Sequence, residues 1–375
     1  MREETRDSDE RKFGTSNLVL ATTTRKSRTR RAIFCEIAVR PLAPMRAAAK
    51  ALAACESHLR TGHLSLAASA ADGGMKSLPN TAPSSLRRTL LNAQGVALHL
   101  LGESETAHEC LSAALVVATH AAAAGEGGHD SYEDIGGTLG DLAANHIKMG
   151  QHDEAEAALK RGIFMLKRAY RPSSTVRACL LNVRGCLHEA QGDDVAALAA
   201  HEEAHSLLLA TDAAHAHERH AGWLQACRHG SAWTMLRTGS AAGAVTLSAA
   251  DTSDERLAPL DARERAFARS RHAIAILQRM LEAERPNIKL SEPRRIAAAT
   301  LAAVDLNYAA DELASCLGDG HAETVAARAN HQAARRAISE GTSPTWTQHW
   351  QPALGAGLKP SPQIMWEPAS TRENA

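Results

Sequence analysis

Apolar residues in the middle of the chain recur at three- and four-residue intervals, as in Leu139, Leu142, Ala143 and Ile147. That spacing gathers them on one face of a helix and leaves a polar face opposite. Gly150 follows, suited to the left-handed turn that residues with a Cβ resist. The run 153–168 (DEAEAALKRGIFMLKR) then reads as a second helix, with Asp153 as its N-cap and acids in its first turn. The pattern therefore predicts a helix–turn–helix unit whose apolar face is covered only when a neighbour stacks on it.

The unit recurs. A glycine followed five residues later by an alanine is found at Gly62–Ala67, Gly102–Ala107, Gly150–Ala155, Gly192–Ala197 and Gly239–Ala244, the glycines being 40, 48, 42 and 47 residues apart. With 76 alanines in 375 residues the pair alone carries no weight, so the case rests on the interval and the register around it. Seven positions before each glycine stand Cys55, Gly95, Ala143, Gly185 and Ala232, all small, as close helix approach requires. Twelve positions after come Gly74, Ala114, Gly162 and Ala204, then Asp251, which breaks the pattern. Eleven before are Ala51, Leu91, Leu139 and Leu181, then Arg228. The central three units agree well, the first loosely and the fifth poorly.

These residues resemble the tetratricopeptide repeat (TPR), most clearly in NAQGVALHLLGESETAHECLSAA (92–114), GDLAANHIKMGQHDEAEAALKRG (140–162) and NVRGCLHEAQGDDVAALAAHEEA (182–204). The interval of 42 and the segments LKRAYRPSSTVRACLLN (166–182) and LGDGHAETVAARANH (317–331) look like the longer repeats of kinesin light chains, with Ala322 where that family usually has a proline. No sustained a/d heptads accompany them, so the coiled coil of a kinesin light chain itself is not indicated. The resemblance implies an all-α, right-handed α-solenoid of stacked helix–turn–helix repeats. Its bounds are repeats over 47–251, best at 88–210, and degenerate repeats or capping helices over 252–340. In that last part 261–286, 293–316 and 321–340 read as helices.

Composition changes the picture only slightly. Apolar residues make up 44% of the chain but aromatics only 3%, so the core must be built from alanine and leucine, with little area buried per residue. Local opening is expected first at the fifth unit. Long alternating Val/Ile/Thr runs are missing, which argues against a sheet. A net charge of zero argues against nucleic acid or an anionic membrane as the main partner, and no apolar run reaches membrane-spanning length. Seven scattered cysteines, with Cys179 and Cys186 on one predicted helix, read as small packing residues in a reducing, intracellular setting, the cytoplasm first.

The ends differ. Residues 1–12 are charged in both signs and poor in apolar residues, and 13–46 hold Arg25, Lys26, Arg28, Arg30, Arg31, Arg40 and Arg46 against one acid, Glu36. Three readings stay open for 1–46: a disordered basic tail, a mitochondrial or plastid transit segment, and a nuclear-import-like run RKSRTRR. The tail 341–375 carries Trp346, Trp350 and Trp366 among five prolines, which bars a regular helix and leaves it either disordered or laid extended along the array with its tryptophans docked, partial docking being favoured.

One motif looks catalytic. His201-Glu202-Glu203-Ala204-His205 has the H-E-x-x-H form, which in zinc hydrolases sets two imidazoles on one helical face with a glutamate as general base. Here it falls in register on the second helix of the best repeat, where the resemblance implies a packing residue at His201. Residues 224–226 (Leu, Gln, Ala) offer no third ligand at the usual distance, although His215, His217 and His220 stand nearby. The expectation is therefore no catalytic residue, no metal and no cofactor.

In TPR folds the first helices line a concave groove that takes a peptide. The register places Asn92, Val96 and His99, then Gly140, Ala144 and Ile147, then Asn182, Cys186 and Glu189 in that groove. In kinesin-light-chain-like repeats, asparagines at the places of Asn92 and Asn182 hydrogen-bond a ligand's backbone, since an amide both donates and accepts. The paired lysines and asparagines that hold chaperone C-termini are missing. The sequence thus predicts a non-catalytic scaffold that binds a protein or peptide with hydrophobic anchors. Its alternatives are an organelle assembly factor using the same groove, or a zinc-dependent hydrolase built on His201, Glu202 and His205.

Overall fold

A computed structural model describes residues 42–126, 130–169, 173–211, 221–249, 262–282 and 292–340. The expectations for 1–41, for the tail 341–375 and its tryptophans, for Asp251, and for His215, His217 and His220 lie outside the described residues.

Thirteen helices and no strand are found among the described residues. They are α1 (Leu42–Arg60), α2 (Leu64–Ser77), α3 (Ser84–Leu101), α4 (Ser104–Ala123), α5 (Asp130–Lys148), α6 (His152–Arg168), α7 (Ser174–Gln191), α8 (Asp194–Thr211), α9 (Ala221–Arg237), α10 (Ala241–Ala249), α11 (Ala262–Glu282), α12 (Glu292–Leu317) and α13 (Ala322–Glu340). Each even-numbered helix from α4 to α12 packs on the odd-numbered helix before it and on the odd-numbered helix after it. The helices α1, α2 and α3 share one core of Leu52, Cys55, Ala67, Ala71 and Leu90. The chain is an all-α solenoid of six hairpins closed by α13. Pair α11–α12, where the sequence register fades, packs like the pairs before it.

The turn chemistry behaves as the pattern requires. All five repeat glycines have positive φ, from 73° at Gly150 to 93° at Gly102. At Gly102 the amide donates to the His99 carbonyl at 3.1 Å, and the Glu103 amide donates to that of Leu98 at 2.9 Å, closing the end of α3. The alanines five residues on (Ala67, Ala107, Ala155, Ala197 and Ala244) are all 0% exposed, so the fifth pair, poorly supported by its flanking sequence, adopts the same geometry as the others. The small residues do what close approach demands: a Cβ on Gly95 would stand 2.7 Å from Leu111 Cγ. One detail is corrected. Helix α6 starts at His152, after Gln151, so Asp153 lies in its first turn rather than at its N-cap, favourable to the helix dipole but making no capping bond.

Successive odd-numbered helices also touch one another: α3 with α5, α5 with α7, α7 with α9, α9 with α11, and α11 with α13. They form an inner layer, and the even-numbered helices form an outer one. The two ends of the array then meet. Leu317, at the end of α12, packs with Leu59, Leu64, Val96 and Leu100. The His321 Nε2 nitrogen lies 3.1 Å from the Leu100 carbonyl oxygen and donates to it. A Cβ on Gly62 would meet Cys316 Cβ at 3.0 Å, which places the two turns in direct contact.

Candidate functional site

The inner layer is far more enclosed than an open groove. Every residue of α5 from Ile135 to Asn145 is buried. Of the residues expected to face a ligand, Asn92, Val96, His99, Gly140, Ala144, Asn182, Cys186 and Glu189 are buried, and Ile147 packs partly buried against the core of α5–α7. Because successive inner helices touch and the ends of the array meet, these side chains face neighbouring helices.

Their polar atoms join helices. Asn92 Nδ2 donates to Thr138 Oγ1 at 3.0 Å, tying α3 to α5. Between the same helices His99 Nδ1 donates to Asn145 Oδ1 at 2.9 Å, and Lys148 Nζ donates to the His99 carbonyl at 2.7 Å. Thr234 Oγ1 donates to Glu189 Oε1 at 2.8 Å, and Arg237 donates to the Glu189 carbonyl at 3.2 Å, tying α7 to α9. Arg271 donates to Gln225 Oε1 at 2.8 Å, tying α9 to α11. Buried polar groups demand such partners, because an unmade hydrogen bond costs more than a made one contributes. The sequence spacing revealed the positions but not what they would face.

The H-E-x-x-H pair separates in the same way. His201 is fully buried, with the ring held between Gly185 of α7 and Gly230 of α9. Its Nδ1 donates to Asn182 Oδ1 at 2.8 Å, and its Nε2 lies 3.4 Å from Glu189 Oε1. His205, one turn on, instead accepts from Arg228 Nε at 2.9 Å through its Nε2. The two imidazoles are engaged by different helices, and Glu203 pairs with Arg177 at 3.4 Å. No group of three metal-ligating side chains is found among the described residues. His201 packs between α7 and α9.

The cysteines behave as packing residues too. Cys55, Cys179, Cys186 and Cys227 are buried free thiols. Burial pushes Cys55 and Cys227 up to about 12 and raises Cys179 and Cys186 well above the ordinary thiol value, so all four stay protonated at neutral pH. A cavity of about 450 Å³ opens where α3, α4 and α5 meet, lined by Ser84, Ser85, Ala118, Ser131 and the ion pair of Arg88 with Asp134 at 3.2 Å. The sequence reading passed over Arg88, since a lone cation in an apolar helix is not matched to an acid 46 positions away without the fold.

Among the described residues, the large apolar side chains that stand exposed are Leu66, Val116, Phe164, Val195, Ile296, Leu301, Val304, Tyr308, Val325 and Ile338. The first eight belong to the even-numbered α2, α4, α6, α8 and α12, and the last two to the closing helix α13. Val116 and Phe164 sit at the same place in consecutive repeats, fourteen residues after Gly102 and Gly150. The helices stack as a TPR-like solenoid. No family model matches the chain, and no curated protein matches it. Among solved structures it is similar to the TPR2AB-domain:pHSP90-complex of yeast Sti1, at 13% identity, with 76% of this chain and 98% of that chain covered and a TM-score of 0.27. A likeness at that score carries no argument about a ligand or a mode of binding.

Proposed function

We propose that this protein is an interaction scaffold that engages protein partners through the outer faces of its even-numbered helices. The observation that supports this reading is the placement of its exposed large apolar side chains: among the described residues eight of ten fall on the even-numbered α2, α4, α6, α8 and α12, and the other two, Val325 and Ile338, fall on the closing helix α13. Exposed apolar side chains are where association with a partner removes the most apolar area from water. A peptide in the inner groove, the more specific expectation, would have to displace the hydrogen bonds of Asn92, His99, Asn182 and Glu189 between helices. The kinesin-light-chain-like subtype belongs to the same proposal and is supported by the interval of 42 between Gly150 and Gly192.

Affinity capture with the full chain tests the proposal, comparing wild type with Val116→Ser/Phe164→Ser. Both side chains are more than half exposed, so the double variant should fold normally and lose specific partners. Equal recovery by both proteins would remove the outer face from consideration. An Asn92→Ala/Asn182→Ala pair serves as the contrast and should lower stability rather than alter partner choice. Losing partners at unchanged stability would return the assignment to the inner groove.

A further inference from the structure

Helix α12 is apolar on two faces, and helices of that kind are normally enclosed. Ala302, Leu306, Ala309 and Leu313 are buried against neighbouring helices. The other face carries Ile296, Leu301, Val304 and Tyr308, with Leu301 67% and Tyr308 59% exposed. The contacts of α13 show where the chain goes next. Ala327, early in α13, shares a core with Ala310 and Leu313, near the end of α12. Ala334, later in α13, shares one with Ala299, Ala302 and Leu306, nearer its start. The two helices therefore run antiparallel, and α13 ends at Glu340 level with the first turns of α12. The sequence that continues from there, GTSPTWTQHWQPALGAGL (341–358), holds no Asp, Glu, Lys or Arg. Pro344 and Pro352 keep a regular helix from spanning it. Trp346, Trp350, Leu354 and Leu358 recur at every fourth position, and on an extended chain an even interval puts all four on one side.

We propose that 341–358 folds back as a strap over the outer face of α12 in the same chain, seating Trp346 and Trp350 against Leu301, Val304 and Tyr308. The lengths agree. Six extended residues from Glu340 to Trp346 reach about 20 Å, enough to turn at the end of α13 and arrive at Leu301. Trp346 and Trp350 are then about 13 Å apart, against about 10 Å along the helix axis from Leu301 to Tyr308. The chemistry agrees as well. An indole buries about 150–250 Å², so two of them suit a strip of four large apolar side chains, and an uncharged segment brings no ion to be stripped of water. Tethering decides the occupant. A short linker holds its segment at an effective concentration in the millimolar range, so a second copy or another protein at micromolar concentration meets a face already covered.

Photo-crosslinking of the purified full chain tests this with no other protein present, so its result is independent of the scaffold reading above. A benzophenone amino acid replaces Thr300, which is exposed beside the strip. Unlabelled and nitrogen-15-labelled chains are mixed in equal parts and irradiated, and the joined peptides are identified by mass. Position 300 should be linked to residues 341–358, and each linked pair should carry a single isotope. Trp346→Ala/Trp350→Ala should abolish that product with an unchanged circular dichroism spectrum, and so should Leu301→Asp. Trp366→Ala, beyond the strap, should leave the yield as it is. Linked pairs of mixed isotope would hand the face to a second copy and overturn the proposal. So would a product that survives loss of both tryptophans, which would signify chance collisions of a tethered tail, or a link from position 300 to anywhere but the strap.

Discussion

Gly185→Ala should destabilise the array although alanine is the better helix former. The substitution sits inside α7, where replacing glycine by alanine ordinarily stabilises a helix by about 1 kcal/mol. Here the new Cβ would stand 2.5 Å from His201 Cε1 and 2.7 Å from Nδ1. Carbon atoms at van der Waals contact sit near 3.5–4.0 Å, so the ring would have to move by about 1 Å. It has nowhere to go, because Gly230 holds its other face, with an added Cβ there also 2.5 Å from the ring. Overpacking of this kind costs about 1–3 kcal/mol. Pulling His201 Nδ1 off Asn182 Oδ1 leaves buried polar atoms unpaired for roughly another 1–3 kcal/mol. These outweigh the propensity gain, and a net loss of about 1–5 kcal/mol is expected. Gly73→Ala on α2 is the matched control, since no heavy atom lies within 4 Å of its added Cβ. It should stabilise by about 0.5–1 kcal/mol. Urea titration followed by far-ultraviolet circular dichroism reads both signs. In a His201→Ala background the obstruction is gone, and Gly185→Ala should turn from costly to neutral or favourable. If Gly185→Ala raises the midpoint in the wild-type background, or behaves the same in both backgrounds, the argument that His201 fills a slot between glycines is refuted.

Further outcomes follow from the same contacts. At Gly102 the added Cβ meets nothing within 4 Å, yet φ is 93°, so Gly102→Ala should cost about 1–2 kcal/mol through the backbone alone and Gly102→Asn less. Equal midpoints for the three residues would contradict the left-handed turn. Arg88→Met removes the ion pair with Asp134 beside the cavity and should lower stability by about 3 kcal/mol, most of it recovered in Arg88→Met/Asp134→Leu; no recovery would show that the pair is not the reason for the loss. The buried thiols set an alkaline limit. Their folded values are raised, so this contribution is intact below the ordinary value of 9.0, where both states are protonated. Above it the unfolded chain ionises first, and stability falls by up to about 1.4 kcal/mol per pH unit per thiol until the folded value near 12 is reached. Cys55→Ala should flatten the fall in urea midpoint between about pH 9 and pH 11, and an unchanged slope would argue against it. Added zinc should leave the midpoint unmoved because His205 Nε2 already accepts from Arg228. One equivalent of retained zinc that disappears in His201→Ala/His205→Ala would restore the metal reading.

Local chemistry was legible and global curvature was not. The five glycine turns could be read because each depends on a residue that tolerates positive φ and on a small partner a fixed distance away. Even the pair at Gly239, with Arg228 and Asp251 against it, obeyed the rule. His201 was legible as a packing residue because its register put it at a packing position of the second helix, whereas the space that Gly185 makes for it emerged only from the fold. The inward turn of Asn92, Asn182 and Glu189 was not legible. It depends on how tightly the repeats wind, and the contact that closes the array, His321 with Leu100, joins residues 221 apart in sequence.

These observations form one causal chain. An aromatic-poor core of alanine and leucine lets helices approach closely, with glycines at 95, 140, 162 and 185 where a leucine or histidine must enter. Close approach brings successive inner helices into contact, and polar residues that would line an open groove become the hydrogen bonds between repeats. An alanine-rich interface tolerates slippage along a helix, whereas a bond such as Asn92 to Thr138 is satisfied in one register only. We take these buried pairs to fix the stacking register, at the expense of the groove. Thr138→Val is the direct probe, nearly isosteric but unable to accept from Asn92. If the pairs set register, its array should exchange the α3 and α5 amides faster while keeping its helical content. If they merely fill space, exchange should be unaltered, and the inner layer would be free to open for a ligand after all.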